Sequence, residues 1–366
     1  STDTLLSLAE EISDTHHCRE VDILITTGEQ VSISLMAMTF AHLGASAVSL
    51  TGAQAGICCR GVHGKAFIDK VLPSRVFQEL EKGNIVIVAG FQGLLPNGDV
   101  ATLGRGGSDA TAVALAGDMQ ADMCEIFTDV DGIYSADPRY CPDAIKMQEI
   151  TNIEMLELAR LGAGVMQPRS VELGLEYHIP IHVRSTFTNE EGTIIREEST
   201  LEGNNCIIKG VAQDTNTARI SVLNVKNIPG VAYKVFQSLA EDNIDVDMIV
   251  QSVQTSNDNM TDIVFTINSA DLNDARKSLE KLKTEGLIPE VVYDDDTAKI
   301  SIVGAGMLGT PGIAARMFGA LGSVGINILI VSTSEISVSC LIKREDVNKA
   351  VQAIHREFFG KSETNG

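Results

Sequence analysis

The stretch Thr102-Leu-Gly-Arg-Gly-Gly-Ser-Asp-Ala-Thr-Ala-Val-Ala-Leu-Ala116 places three glycines and a polar Arg-Gly-Gly-Ser-Asp group directly before a run of small, helix-forming residues. Residues 84–90 precede it, and their apolar, mostly β-branched sequence predicts a buried strand. A glycine-rich turn at the start of a helix presents backbone N–H groups at the positive end of the helix dipole, where an anion binds favourably. Taken alone, the same pattern also fits a tight turn without a ligand.

The spacing of Gly104, Gly106 and Gly107 excludes two common phosphate loops. No Gly-Lys-Ser/Thr follows, as a P-loop requires, and the spacing is GxGG rather than GxGxxG. Further along, a predicted strand at residues 124–127 leads into the polar loop Phe127-Thr-Asp-Val-Asp-Gly-Ile-Tyr-Ser-Ala-Asp-Pro-Arg139. The chain therefore has two polar loops of the kind that bind ligands in α/β proteins.

Together these two segments resemble the aspartate kinases, members of the amino acid kinase family that phosphorylate the side-chain carboxylate of aspartate. Four further segments are also family-like: Thr26-Thr-Gly-Glu-Gln30, Leu50-Thr-Gly-Ala-Gln-Ala-Gly56, Gln167-Pro-Arg-Ser-Val171 and His182-Val-Arg-Ser185. The resemblance covers nearly the whole chain. It disfavours other amino acid kinases, such as a glutamate kinase, because the full set of motifs matches aspartate kinases.

Net charge and cysteine content indicate which kinds of binding partner and cellular location to expect. The 366 residues include 28 basic and 49 acidic ones, and the net charge of −21 argues against nucleic acids or anionic membranes as partners. Seven cysteines without a repeated CxxC spacing indicate reduced thiols, and the adjacent Cys58 and Cys59 lack a second pair of metal ligands. With no recognisable signal sequence or long uninterrupted apolar run, we expect a cytoplasmic protein.

The first half of the chain alternates between predicted strands and helices. We expect strands at residues 21–26, 48–50, 85–89, 124–127 and 181–184, and helices at residues 30–43, 153–161 and 170–177. This alternation predicts an α/β catalytic domain at residues 1–200, with a mainly parallel sheet covered by helices on both faces. Residues 190–205 are charged and aperiodic, and they predict the domain boundary.

The second half contains an internal repeat, because the sequence around Pro229-Gly230 returns around Pro311-Gly312, 82 residues later. Each copy predicts a ferredoxin-like βαββαβ module in which the Pro-Gly pair starts the first helix. We place the first module at residues 214–295. The second combines residues 206–212 with 297–360, since the strand at 206–212 has no partner of its own and the two modules are then interleaved.

This repeat resembles paired ACT domains, which bind amino acids at strand–helix turns and pair side by side. A ferredoxin-like scaffold without a ligand is the alternative. The resemblance implies inhibitory lysine or threonine as effectors, and a homodimer or higher oligomer that forms through the ACT modules. The predicted effector contacts are one apolar residue, Ile244, and polar or turn-forming residues of both copies: Asn227, Gly230 and Gln251 in the first, and Pro311, Gly312, Asn327, Ser332 and Thr333 in the second.

Residue chemistry suggests how L-aspartate is held. Arg105 suits bidentate capture of a carboxylate, and Glu29 suits the substrate ammonium. The resemblance adds Thr2 and Ser108 as substrate contacts and gives Asp109 the role of organising phosphate-binding lysines, so Arg105 and Asp109 are the predicted catalytic residues. Glu29 could instead be an acid at a helix N-terminus, and Asp109 could be a helix cap.

The resemblance also implies an ATP site, formed by Thr128, Asp129, Asp131, Tyr134, Asp137 and Arg139. Mg²⁺ is expected to arrive with the nucleotide and to be held largely by phosphates and water, without a dedicated protein cage. Residues 137–139 could otherwise form an ordinary turn in which Arg139 pairs with a local acid.

Two departures from the family pattern concern transition-state lysines. The chain begins in a region resembling the family's second loop, so the first strand and its Lys-(Phe/Tyr)-Gly-Gly-(Thr/Ser)-Ser motif are not in the sequence. Gly164 occupies the position of a second lysine. Because such cations stabilise the transition state, we expect weak turnover from these residues alone. The alternative function is a catalytically inactive, amino-acid-sensing regulatory subunit.

Overall fold

The structure, a computed structural model, describes residues 2–12, 19–104, 106–198, 207–252 and 259–360. The chain forms two compact units. Unit 1 comprises Ser1–Ile133, Lys146–Arg160 and Gly164–Asn204, and unit 2 comprises Tyr134–Ile145, Leu161–Ala163 and Asn205–Gly366. The short segment Tyr134–Ile145 therefore belongs to unit 2, although the chain on both sides of it belongs to unit 1.

Unit 1 is an α/β unit. Its helices are α1 (Thr2–Glu10), α2 (Arg19–His42), α3 (Ser74–Glu81), α4 (Gly107–Asp118), α5 (Asn152–Arg160) and α6 (Pro168–Glu176). Its strands are β1 (Ala47–Leu50), β2 (Ile57–Arg60), β3 (Phe67–Val71), β4 (Ile85–Val88), β5 (Gln92–Leu94), β6 (Val100–Thr102), β7 (Cys124–Thr128), β8 (Glu149–Thr151), β9 (Ile181–Ser185) and β10 (Thr193–Arg196).

The strands of unit 1 pair in three sheets. β1 pairs with β4 in parallel, a four-stranded sheet has the order β7-β9-β10-β8, and a second four-stranded sheet has the order β3-β2-β5-β6. The pairs β7–β9 and β10–β8 are parallel, whereas β9–β10 is antiparallel. The predicted strands at residues 48–50, 85–89, 124–127 and 181–184 are confirmed, as are the helices at 153–161 and 170–177, each within about two residues.

Two local predictions were wrong. Residues 21–26 are helical and belong to α2, in which the buried residues Asp22, Ile25 and Ile33 recur at helical rather than alternating spacing. A short apolar run does not by itself distinguish a buried helix from a strand. Residues 190–205 are not wholly aperiodic, because Thr193–Arg196 forms β10, one of the two inner strands of its sheet. Residues 199–205 of that stretch lie outside the described part.

Unit 2 contains helices α7 (Val231–Glu241), α8 (Leu272–Thr284), α9 (Ile313–Ser323) and α10 (Val347–Phe359). Its strands are β11 (Gly210–Lys226), β12 (Val246–Gln251), β13 (Met260–Asn268), β14 (Glu290–Val303), β15 (Ile330–Thr333) and β16 (Ser337–Lys343). They form one antiparallel sheet of order β12-β13-β11-β14-β16-β15. Each copy of the repeat has its own apolar core, around Phe265 in the first and Met317 in the second.

The long strands β11 and β14 each serve both copies. The first residues of β11, from Gly210, pair with the end of β14, whereas Thr217 and later residues pair with β13 and with the start of β14. Bulges between Asp214 and Arg219 separate the two parts. Interleaved modules would need this pairing between the first residues of β11 and the end of β14. The domain bounds expected from the sequence stay predictions.

Candidate active and effector sites

The glycine-rich turn that starts α4 is tightly packed. Gly106 precedes the helix in the left-handed conformation, with φ of 69°, and a Cβ there would lie 2.0 Å from the Cγ of Gln167. A Cβ on Gly107 would lie 2.8 Å from the Cβ of Leu103. Positive φ and close packing thus both demand glycine at this turn.

Four predicted substrate residues lie on helices of unit 1: Thr2 on α1, Glu29 on α2, and Ser108 and Asp109 on α4. Arg105 lies outside the described residues. Ser108 Oγ donates a hydrogen bond of 3.4 Å to Asp109 Oδ1, and burial raises the pKa of Asp109. The residue before α4 is Gly106, so Asp109 is the third residue of the helix rather than its cap. Thr2 is the first residue of α1.

Glu29 lies in the interior of α2, well beyond its first turn, so a simple interaction with the helix N-terminus does not explain it. Burial raises the pKa of its carboxyl group. Burial, and then the charge of Asp109, raise the pKa of the Cys124 thiol to about 11. The carboxyl groups of Glu29 and Asp109 are both partly desolvated.

Sequence reasoning missed Asp22, a carboxylate that joins three parts of unit 1. Asp22 is 1% exposed. Its Oδ1 accepts a 2.7 Å hydrogen bond from Thr102 Oγ1, and its Oδ2 accepts from the Thr102 and Gly64 amides at 3.2 and 3.0 Å. His63 Nδ1 lies 2.8 Å from the same Oδ2. Asp22 thus ties α2, which carries Glu29, to the residue that ends β6 before the glycine-rich turn; an acid inside an apolar stretch was the available signal.

Three of the predicted nucleotide residues, Thr128, Asp129 and Asp131, belong to unit 1. Thr128 Oγ1 donates to Asp129 Oδ1 at 3.1 Å, and Lys146 Nζ lies 3.3 Å from Asp131 Oδ2. Lys146 also lies 2.8 Å from Glu190 Oε2, and this hydrogen bond is the main cause of a raised Lys146 pKa. The sequence analysis did not identify this lysine, which lines a cleft of about 320 Å³.

The other three, Tyr134, Asp137 and Arg139, belong to unit 2. Arg139 Nε and Nη2 donate to the Asp137 carboxylate at 3.0 and 2.7 Å, and Gln213 Nε2 donates to it at 3.2 Å. Burial raises the pKa of Asp137, but the hydrogen bonds from Arg139 outweigh it and the net shift is downward. Arg139 is thus paired with a local acid in this structure, as the alternative interpretation expected.

The first copy of the repeat has a cavity of about 330 Å³ at its Pro-Gly turn. Three predicted effector residues line it, Asn227, Gly230 and Gln251. Ile244 does not line this cavity and is buried in the apolar core of the copy. The cavity is large enough for an amino acid and opens beside the start of α7, where backbone N–H groups favour a carboxylate.

The second copy repeats the turn geometry. Gly230 and Gly312 precede α7 and α9 with φ of 93° and 92°, and a Cβ at either meets no atom within 4 Å. Positive φ, rather than lack of space, therefore favours glycine at both turns. The remaining predicted contacts of this copy are exposed: Pro311, Asn327, Ser332 and Thr333.

Comparison with known proteins assigns a protein family to each half of the chain. A sequence model of the amino acid kinase family matches residues 2–185, and an ACT domain model matches residues 201–282 and 300–358. The aspartokinase of Corynebacterium glutamicum is 45% identical over 362 residues, which cover 98% of this chain and 86% of that relative.

Two solved structures of Escherichia coli aspartokinase III are similar in fold. The complex with aspartate and ADP has a TM-score of 0.81 at 25% identity and covers 98% of this chain and 80% of that one. The complex with lysine and aspartate has a TM-score of 0.74 at 26% identity, with 98% and 79% covered. The expected fold class, an amino-acid-kinase unit followed by ACT modules, is confirmed. The chain belongs to the aspartokinases of the amino acid kinase family.

Proposed function

We propose that this protein transfers the γ-phosphoryl group of ATP to the β-carboxylate of L-aspartate, giving 4-phospho-L-aspartate for lysine, threonine and methionine biosynthesis. The observation that carries the proposal is 45% identity to an aspartokinase along 98% of the chain. The glycine-rich turn at the start of α4, whose packing requires glycine, supports the same proposal.

For phosphoryl transfer, the protein must hold two anions in line and neutralise the charge that develops between them. In our proposal Arg105 holds the α-carboxylate of aspartate in a bidentate manner, and Glu29 accepts from its ammonium group. Thr2 and Ser108 complete the substrate contacts. Asp109, in the first turn of α4, orients the cations that face the phosphates.

We assign nucleotide binding to Thr128, Asp129 and Asp131 together with Tyr134, Asp137 and Arg139, and Mg²⁺ to the nucleotide phosphates. The E. coli relative solved with ADP supports a nucleotide as ligand. The Arg139 side chain is 84% exposed, so little burial opposes its transfer from Asp137 to a phosphate. Lys146 adds a nearby cation in unit 1.

A Cβ at Gly164 would meet no atom within 4 Å, so the start of a longer side chain, such as the lysine of the family pattern, meets no obstacle there. A catalytically inactive sensor is less well supported, because the kinase-family match extends over residues 2–185. Residues 1–200 would then form the catalytic domain. Residues 214–295, and 206–212 with 297–360, would form the two regulatory modules.

For regulation, we propose that lysine or threonine inhibits the enzyme from the Pro-Gly turns of the ACT modules and that subunits associate through these modules. The cavity at Gly230 and the lysine complex of the E. coli relative support this assignment. We also propose a cytoplasmic location. By length and composition α2 could cross a membrane, but its buried Asp22 is hydrogen bonded to β6, which supports a helix of the kinase domain.

The function is tested by trapping the acyl phosphate formed from ATP and L-aspartate. Arg105→Ala should weaken L-aspartate binding far more than ADP binding, and Arg105→Lys should not restore it, because lysine lacks the planar fork. Equal loss of both ligands in a folded variant would contradict the role of Arg105. Failure of the wild-type chain to bind either ligand would contradict the proposed function.

A further inference from the structure

The segment Tyr134–Ile145 is built into the regulatory part of the molecule. Ala136 and Cys141 are each 2% exposed and belong to the apolar core of the second copy, formed with α9, α10 and the sheet. Tyr140 and Ala144 pack against the same core. Because protein cores are close-packed and transmit displacement, the position of this segment depends on the packing of the second copy.

A buried hydrogen bond fixes the segment to α10. Ser135 Oγ lies 2.9 Å from His355 Nε2, and the two residues are 2% and 4% exposed. The Ile145 amide donates to the same Ser135 Oγ at 2.8 Å, which closes the segment on itself. The Ser135 carbonyl accepts from the Val211 amide at 2.7 Å. Ser135 therefore joins both ends of the segment to the second copy.

The orientation of His355 is also fixed. Its ring stacks on Phe359, with the ring centroids 4.8 Å apart, and burial lowers its pKa, so the neutral ring is favoured. One turn earlier on α10, Gln352 Nε2 donates to the Tyr140 carbonyl at 3.0 Å. Two side chains of one helix face thus hold the segment at two points.

The opposite side of α10 is connected to the Pro-Gly turn of the second copy. Arg316, in the first turn of α9 after Gly312, donates from Nε to Glu357 Oε1 at 2.7 Å and from Nη2 to the Glu357 carbonyl at 3.0 Å. Its guanidinium also lies 4.5 Å above the centroid of the Phe358 ring. Arg316 therefore connects the first turn of α9 to the end of α10 that carries His355.

We propose that His355 is a positioning residue for nucleotide binding, acting through Ser135 on the segment that carries Tyr134, Asp137 and Arg139. The same residue would link that segment, through α10 and Arg316, to the amino-acid turn at Gly312. The inference rests on the proposed nucleotide role of this segment. The contacts form one continuous path, and a ligand at Gly312 acts along it only if it prefers one position of α9.

The test compares ligand affinities of the full chain by calorimetry, with ADP and Mg²⁺ as one probe and L-aspartate as the other. His355→Phe keeps a ring that can stack on Phe359 but removes the hydrogen-bond partner of Ser135. We expect the Kd for ADP to rise about threefold to tenfold, the effect of one buried hydrogen bond. The Kd for L-aspartate should change by less than about twofold, which is smaller than the effect of losing one buried hydrogen bond.

A matched control is Ile267→Val, which removes one methylene from the core of the first copy, to which no residue of Tyr134–Ile145 belongs. It should lower stability comparably and leave ADP affinity unchanged. His355→Gln keeps a polar nitrogen and should recover part of the ADP affinity. Wild-type ADP affinity in folded His355→Phe, or in folded Ser135→Ala if His355→Phe does not fold, would overturn the inference.

A double-mutant cycle tests the route through Ser135. If His355 acts through that hydroxyl, His355→Phe should add little to Ser135→Ala, whereas additive effects would overturn the route. Arg139→Ala separates this inference from the proposed function. If it leaves ADP affinity unchanged, the nucleotide role of the segment fails, and the inference with it. If it weakens ADP binding and His355→Phe does not, the positioning inference alone is wrong.

Discussion

Replacing Asp22 by asparagine should disturb the substrate site of unit 1, although Asp22 is expected to touch no substrate. The Asp22 carboxylate receives donors from Thr102 twice, from Gly64 and from His63, and it is 1% exposed. An asparagine can keep the shape by turning its NH₂ group towards the Thr102 hydroxyl, which can accept as well as donate. The asparagine variant loses the negative charge that strengthens the four hydrogen-bond contacts.

The magnitude follows from that loss. Hydrogen bonds to a charged group contribute about 1 kcal/mol more than neutral ones, so four contacts with partial relaxation give a cost of about 2–4 kcal/mol. For a unit of this size, that cost corresponds to a fall in Tm of about 5–12 °C. Because Thr102 lies just before the turn that carries Arg105, the affinity for L-aspartate should fall as well.

The assay is differential scanning calorimetry of the whole chain, following the transition that L-aspartate shifts, together with a titration of L-aspartate. Asp99→Asn is the control, since Asp99 contacts the same helix through Arg19 at the surface and should cause a much smaller change. An Asp22→Asn protein with the wild-type Tm and wild-type aspartate affinity would refute the reasoning.

Three further predictions concern other parts of the chain. Gly164→Lys should raise the rate of acyl phosphate formation, while the uncharged Gly164→Gln should not; equal rates in a stopped assay would contradict a missing cation at this position. Gly230→Asp, which strains a residue with φ of 93°, should weaken binding of lysine or threonine in calorimetry, whereas Gly286→Asp, at a similar positive φ away from the cavity, should not. Burial raises the pKa of Cys340 from 9.0 to about 12, so the folded state holds this proton more tightly than the unfolded state, and stability should decline between those pH values. The decline, measured as the urea midpoint against pH, should be shallower in Cys340→Ala, and identical slopes would argue against the cysteine as its cause.

Much of the fold could be predicted because its signals are local. Short stretches of residues were enough to predict the apolar strands at Ile85–Val88 and Cys124–Thr128 and the helix that follows Gly106. The strand expected at residues 206–212 overlaps the start of β11, which begins at Gly210 and pairs there with Val303, while the interleaving of two modules stays a prediction. The error at residues 21–26 arose where the local signal was ambiguous, since the burial of Asp22 and Ile25 is decided by partners elsewhere in the chain.

The candidate site likewise contains features that local sequence predicts and residues that it does not. The glycine turn, the polar loop after β7 and the two Pro-Gly turns were recognisable because backbone conformation demands particular residues at particular spacings. The roles of Asp22 and Lys146 were not, because nothing adjacent to them in sequence indicates what they bind. Their partners Thr102 and Glu190 lie 80 and 44 positions away.

The sequence by itself determined the family, the regulatory repeat and the residue types available for chemistry, since these depend on spacing and side-chain identity. Only the tertiary structure decided that Tyr134–Ile145 packs with the second copy rather than with unit 1. The physical reason is that Ser135 and His355, 220 residues apart, are both buried and satisfy each other's hydrogen bonds. A buried polar group must find a partner wherever the fold places one, and local sequence does not specify that place.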